Sequence, residues 1–160
     1  MVGGTASGIL LGGCLTLLQT TLSTAWELDT RGAVLLLEDC TVKPYQLDRM
    51  LEHLKQAGKF RDVRAFILNE FPGADTSHNQ RAAFREVCAR VFGPLRVPTI
   101  FGAAVGHTRK PMLTLPLGVR VRLEAVGEGK LEILERAVTC ENKGAEKDSL
   151  GGGSIKIIRR

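Results

Sequence analysis

The sequence predicts an α/β fold with a parallel core sheet, crossover helices and an added antiparallel hairpin. Three short apolar runs, Ala33–Leu37, Ala65–Leu68 and Val97–Phe101, are too short for helices and read as buried strands. Two amphipathic segments separate them, and strand–helix–strand order points to crossovers between parallel neighbours. The last third alternates apolar and polar residues around a glycine turn, as antiparallel pairing requires.

Taken in order, the chain opens with Leu15, Leu18 and Leu22 at helical spacing after Gly12-Gly13, which predicts a short helix. Ala33–Leu37 is the first predicted strand. Pro44 suits the first turn of the next helix, whose apolar face carries Tyr45, Met50, Leu51 and Leu54, and Gly58 stops it. After strand Ala65–Leu68 and the polar loop "PGADTSHNQ", residues Phe84, Val87, Cys88 and Val91 mark a second crossover helix, ended by Gly93-Pro94. Val97–Phe101 is the third parallel strand. Met112–Leu115 is expected as a short strand; Val119, Val121 and Leu123 alternate, "VGEGK" turns, and Leu131–Leu134 returns. Beyond Thr139 periodicity vanishes and glycines cluster, so residues 140–160 are expected as a flexible tail.

At 160 residues the chain suits one domain that buries roughly two thirds of its unfolded surface. Its composition, 44% hydrophobic and 24% charged, is that of ordinary globular material rather than a disordered or coiled-coil chain. The net charge of +5 is scattered, with Arg120 and Arg122 on the polar positions of a strand, and only 5% of residues are aromatic. That argues against a nucleic-acid partner, which needs a clustered basic face with stacking rings. Cys14, Cys40, Cys88 and Cys140 lack the spacing of a disulfide framework or a zinc site, and read as reduced thiols of a cytoplasmic protein. "LLGGC" at Leu10–Cys14 loosely resembles a lipoprotein cleavage box, but no Lys or Arg precedes it and the apolar run is only Ile9–Leu11. No run of about 18 apolar residues is present, so no membrane association is expected.

Of three histidines, His53 lies among polar neighbours of the first crossover helix and His78 opens the second. His107 differs, standing just past the third strand in the Gly-flanked loop of "FGAAVGHTRKP". Glu38 ends the first strand, so both belong to the carboxyl edge of the sheet, where ligands and chemistry collect. Strand-end acids and loop histidines are common, and spacing alone leaves catalytic and structural roles open. Asp39 reads as a turn or capping carboxylate before Pro44.

The segments "LLGGCLTLL", "AVLLLEDCTVKPYQLDRMLEHLKQAG", "RAFILNEF", "VPTIFGAAVGH" and "LTLPLGVRVRLEA" occur in an order and spacing that resemble the C-terminal half of the LD-carboxypeptidases. These serine peptidases include murein tetrapeptide carboxypeptidases and microcin-immunity peptidases. The resemblance covers Ser7–Thr139, leaving 1–6 as a remnant of an interdomain linker. It implies a three-layer, swivelling β/β/α-type domain, homodimers, no metal or organic cofactor, and a Ser-Glu-His triad that cleaves an L,D-peptide amide of murein type. The triad glutamate matches Glu38 and the histidine matches His107. In such chemistry neutral imidazole takes the serine proton during attack, and a carboxylate on the far ring nitrogen fixes the tautomer.

The serine has no match here. Ser7, Ser23, Ser77, Ser149 and Ser154 all lack the strand-to-helix elbow of a nucleophile, and the resemblance puts the serine in an N-terminal domain absent from this sequence. The oxyanion-hole donors would lie there too. The chain also departs from the family pattern at Cys14, where Asn is frequent, at Asn69 (Gly), at Val42 (an acid) and at Gln46 (Arg). Tyr45 and Arg49 match family-like positions whose role stays open. Two readings follow: the glutamate- and histidine-bearing portion of a peptidase, or a truncated, non-catalytic product that folds or dimerises without hydrolysing anything.

Overall fold

In the computed structural model, which describes residues 2–72, 78–108, 111–138 and 154–156, the fold is α/β as expected. Strands β1 (Thr5–Cys14), β2 (Ala33–Glu38), β3 (Ala65–Asn69) and β4 (Thr99–Ala103) pair in parallel; β5 (Arg120–Glu124), β6 (Lys130–Ile133) and β7 (Ser154–Lys156) extend the sheet antiparallel. The strand order is β4-β3-β2-β1-β5-β6-β7. Helices α1 (Leu15–Thr20), α2 (Pro44–Gln56) and α3 (His78–Phe92) follow β1, β2 and β3.

The parallel strands are added in one direction, so crossovers of a single hand place every helix on one face. Period-two alternation then divides the apolar residues. Leu35 and Leu37 of β2, with Phe66 and Leu68 of β3, join Leu15, Leu47, Met50, Leu51, Leu54, Phe84, Cys88 and Val91 beneath the helices. Val34, Leu36, Ala65 and Ile67 face the other way and meet Val121, Leu123 and Leu131 of the antiparallel strands. The sheet curls to bring those strands over that face, which gives three layers. Phe66 is fully buried between Phe60 and Phe92, with ring centroids 5.1 and 4.8 Å away.

Several elements differ from expectation. β1, the junction between the parallel and antiparallel halves, was not foreseen, and it begins at Thr5, inside the stretch read as linker. Its glycines hide it: strands are poor in Gly, yet a Cβ on Gly12 would lie 2.7 Å from the backbone carbon of Leu36. Met112–Leu115 forms no strand; Leu113 donates its N–H to Ala104 O at 2.8 Å, and Leu113 and Leu115 pack against the core as loop. Within the tail expected as flexible, Ser154–Lys156 pairs with β6; residues 139–153 lie outside the description. On α2, Leu47 occupies the buried face, while Tyr45 is 62% exposed because it sits in the first turn, at the helix's outer rim.

Phe66→Ala should cost about 3–5 kcal/mol, the usual result of emptying an aromatic site in a packed core. Denaturant unfolding checks this through a lowered midpoint at unchanged slope. Cys88 is buried beneath α3 and desolvation pushes its thiol up to about 12. At pH 8 its thiolate fraction is therefore on the order of 10⁻⁴, and iodoacetamide should modify Cys88 only after the chain is unfolded.

Candidate active site

The carboxyl ends of β2, β3 and β4 lie side by side, and each supplies one part of the site. β2 runs apolar to its last residue because it is covered on both faces. Glu38 ends it almost wholly buried, its side chain 10% exposed. β4 lies two strands away, about 10 Å across the sheet. The loop after β4 therefore has to fold back over the end of β3 to meet Glu38.

It does so at Gly106, where φ is +59°. That conformation suits glycine, and a Cβ there would stand 2.6 Å from Cδ of Glu38. The next residue delivers both its N–H groups to one oxygen: Oε2 of Glu38 accepts from the His107 backbone at 3.0 Å and faces ring Nδ1 at 2.8 Å. A carboxylate can only accept, so the proton belongs on Nδ1 and the lone pair on Nε2. The His107 side chain is 55% exposed. The result is an oriented imidazole with a basic nitrogen, backed by a buried acid.

Asn69, at the end of β3 between them, is fully buried. Its Nδ2 donates to the carbonyl of His107 at 2.9 Å and to that of Asp39 at 3.3 Å, and its Oδ1 accepts the Phe71 N–H at 3.0 Å. Next to it, Glu70 Oε1 accepts the Thr108 hydroxyl at 2.8 Å. A one-residue register shift between β3 and β4 skips Gly102, φ +87°, just before this loop.

Asp39 belongs to the opposite face. Its Oδ2 accepts the Thr16 backbone N–H at 3.1 Å, the Thr16 hydroxyl at 2.7 Å and the Cys14 thiol at 3.7 Å, while Oδ1 accepts the Cys40 N–H. It caps α1, whose own N-cap, Cys14, offers no side-chain bond. The sequence suggests a turn or capping carboxylate before Pro44; Oδ1 serves the local turn through Cys40, while the helix that Oδ2 caps is α1 rather than α2. Cys14 pairs in register with Glu38, and its thiol is raised chiefly by burial and then by the Asp39 and Glu38 charges.

The remaining departures have local tasks. Val42 is buried under the helices, and Gln46 Oε1 accepts the Lys43 N–H at 2.8 Å to cap α2. His53 is exposed and bonds Gln19 at 2.9 Å, away from the pair; Arg49 is exposed. His78 opens α3 as expected. Ser7 lies on β1 seven residues before Cys14, about 23 Å along an extended strand. Ser23 donates its backbone N–H to Glu27 at the amino end of the sheet. Ser77 and Ser149 lie outside the described residues. Gly106 and Asn69 were missed as site residues; "GH" after a strand was the available signal for the glycine, and nothing local marks the amide.

Gly106→Ala should displace the carboxylate or the loop, and cost at least about 1 kcal/mol through the left-handed backbone alone. Thermal melting would read the loss, and the wild-type Tm would overturn the account of the turn.

Comparison with known proteins identifies the family. The sequence profile of the LD-carboxypeptidase C-terminal domain matches residues 7–123. A Bacillus subtilis (strain 168) protein named "Probable murein peptide carboxypeptidase" is 32% identical over 140 residues, covering 87% of this chain and 43% of the relative. The microcin C7 self-immunity protein MccF of Escherichia coli is 30% identical over 122 residues, covering 76% and 35%. Among solved structures, muramoyltetrapeptide carboxypeptidase from Oxalobacter formigenes superposes with a TM-score of 0.69 at 29% identity, covering 81% of this chain and 46% of that one. The chain thus spans less than half the length of these relatives. With fold, order and profile in agreement, the chain belongs to the LD-carboxypeptidase family, as its C-terminal domain.

Proposed function

We propose that this domain supplies the acid and the base of a Ser-Glu-His triad in a carboxypeptidase acting on L,D-peptides of murein type. The observation that carries the reading is the double contact of His107 with Glu38 Oε2, through ring Nδ1 at 2.8 Å and the backbone N–H at 3.0 Å. Glu38 holds the Nδ1–H tautomer. Nε2 then takes a serine proton as the hydroxyl attacks the amide carbonyl, and returns it to the leaving amino acid. Glu38, desolvated and close, stabilises the imidazolium formed between those steps.

Ser7 stands about 23 Å along β1 from Cys14, and Ser154 pairs with Glu132 on the antiparallel edge; the reading assigns the nucleophile and its oxyanion donors to a segment outside this sequence. The murein-type substrate is inferred from the relatives whose names carry murein peptide and muramoyltetrapeptide. MccF has been crystallised with aspartyl sulfamoyl adenosine, which keeps an aminoacyl nucleotide as the other peptide-like class to assay. A cytoplasmic site of action and a homodimer complete the reading; among the described residues no helix is long and apolar enough to cross a membrane.

Two measurements test it. The 160-residue chain alone should release no D-alanine from murein tetrapeptide and take up no fluorophosphonate; turnover by the chain alone would reveal another nucleophile. Joined to a serine-bearing N-terminal half, it should hydrolyse the peptide. His107→Ala should then abolish turnover, and Glu38→Gln should lower kcat by about 10³- to 10⁴-fold. Near-normal activity of Glu38→Gln would remove Glu38 as the triad acid, and silence of the joined protein would favour a non-catalytic product.

A further inference from the structure

We infer that Asn69 is a positioning residue for the Glu38–His107 pair, fixing the separation of acid and base through one buried carboxamide. The inference rests on the reading of those two residues as acid and base. The main chain of His107 is gripped on both sides: Glu38 of β2 accepts its N–H at 3.0 Å, and Asn69 of β3 donates to its C=O at 2.9 Å. The second Nδ2 hydrogen goes to the carbonyl of Asp39, at 3.3 Å, immediately after Glu38 in the chain. One rigid amide group therefore ties the backbone that follows the acid to the backbone of the base. Its third bond, Oδ1 to the Phe71 N–H at 3.0 Å, fixes the amide's own orientation and leaves both Nδ2 hydrogens turned toward the two carbonyls.

The chemistry suits a spacer. A carboxamide supplies two donors and an acceptor without charge, so it can sit fully buried beside Glu38 without adding a second ion to the site. Asp would keep the acceptor, lose both donors and add a second negative charge. Ala would leave the two carbonyls unsatisfied. In both cases the β4 loop loses its seat on β3, its two bonds to Glu38 loosen with it, and the ring is no longer held in one orientation.

Nuclear magnetic resonance on the ¹⁵N-labelled full chain tests this without needing turnover. In the wild type, the His107 ring should show the Nδ1–H tautomer with a slowly exchanging Nδ1 proton. Asn69→Ala should shift the ring toward the Nε2–H form and speed exchange of the His107 backbone amide by about tenfold or more, the effect of losing one to two kcal/mol of hydrogen bonding. Asn69→Asp should do the same at His107 while the Phe71 amide stays protected, which a general loosening of the fold would not reproduce. Glu38→Gln separates the two ideas. If it leaves the His107 ring spectrum unchanged, the acid–base pairing itself fails. If it alters the ring while both Asn69 variants leave the tautomer and exchange at wild-type values, pairing stands and positioning by Asn69 is overturned. Should neither Asn69 variant fold, the wild-type carboxamide decides. Nδ2 protons exchanging as fast as those of exposed Gln56 would overturn the inference, and strong protection would uphold it.

Discussion

Two N–H groups of one residue converge on a single carboxylate oxygen, and much of the domain is arranged to make that convergence possible. Glu38 and His107 are 69 residues apart and start from strands that are not neighbours. A glutamate side chain alone does not bridge two strand spacings of about 4.8 Å each. The β4 loop must cover the remaining distance, and Gly106 lets it turn hard against the carboxylate without a Cβ in the way. The loop then crosses the end of β3, where a polar anchor for its carbonyl is available in Asn69. Each step is forced by the one before it, starting from the strand order.

That order follows from β1. As the strand shared by the parallel and antiparallel halves, it must accept backbone neighbours on both edges. At Gly12 there is no room for a side chain beside Leu36. The same absence of side chains erased the strand from the sequence, since Gly8, Gly12 and Gly13 break the alternation in "TASGILLGGC" and only Thr5 and Ile9 are β-branched. The other parallel strands were legible because burial on both faces makes them continuous apolar runs. α2 and α3 were legible from their periodicity. Met112–Leu115 shows the converse: an apolar stretch with strand-like character packs as loop, its Leu113 and Leu115 against the second core.

The site was legible to a different depth. Glu38 and His107 drew notice because both fall at the carboxyl edge of the predicted sheet; such residues are common there, and only the ordered motifs gave them roles. Asn69 and the true partner of Asp39 were not legible. Their bonds span 23 to 38 residues, and a carboxamide or carboxylate carries no local sign of which distant backbone group it will meet. The departures from the family pattern gained meaning only in three dimensions. Val42 and Gln46 serve core and cap, Asn69 bonds the His107 carbonyl, and Cys14 is the ladder neighbour of Glu38 with its thiol on Asp39.

Why two carboxylates stand side by side at the end of β2 now has a physical answer. Successive residues of a strand point to opposite faces, so Glu38 continues the side of Val34 and Leu36, and Asp39 the side of Leu35 and Leu37. The first side leads to Val105 and the His107 loop, the second to Leu15 and the start of α1. One acid can therefore orient an imidazole while its neighbour caps a helix, and neither competes for the other's donors. Length matters as well. The longer glutamate reaches sideways over the end of β3, and the shorter aspartate serves an N–H directly beside it. Each side thus offers its own donors, the His107 N–H groups on one and the Thr16 N–H and hydroxyl on the other, and the order Glu-Asp matches side-chain length to the reach each requires.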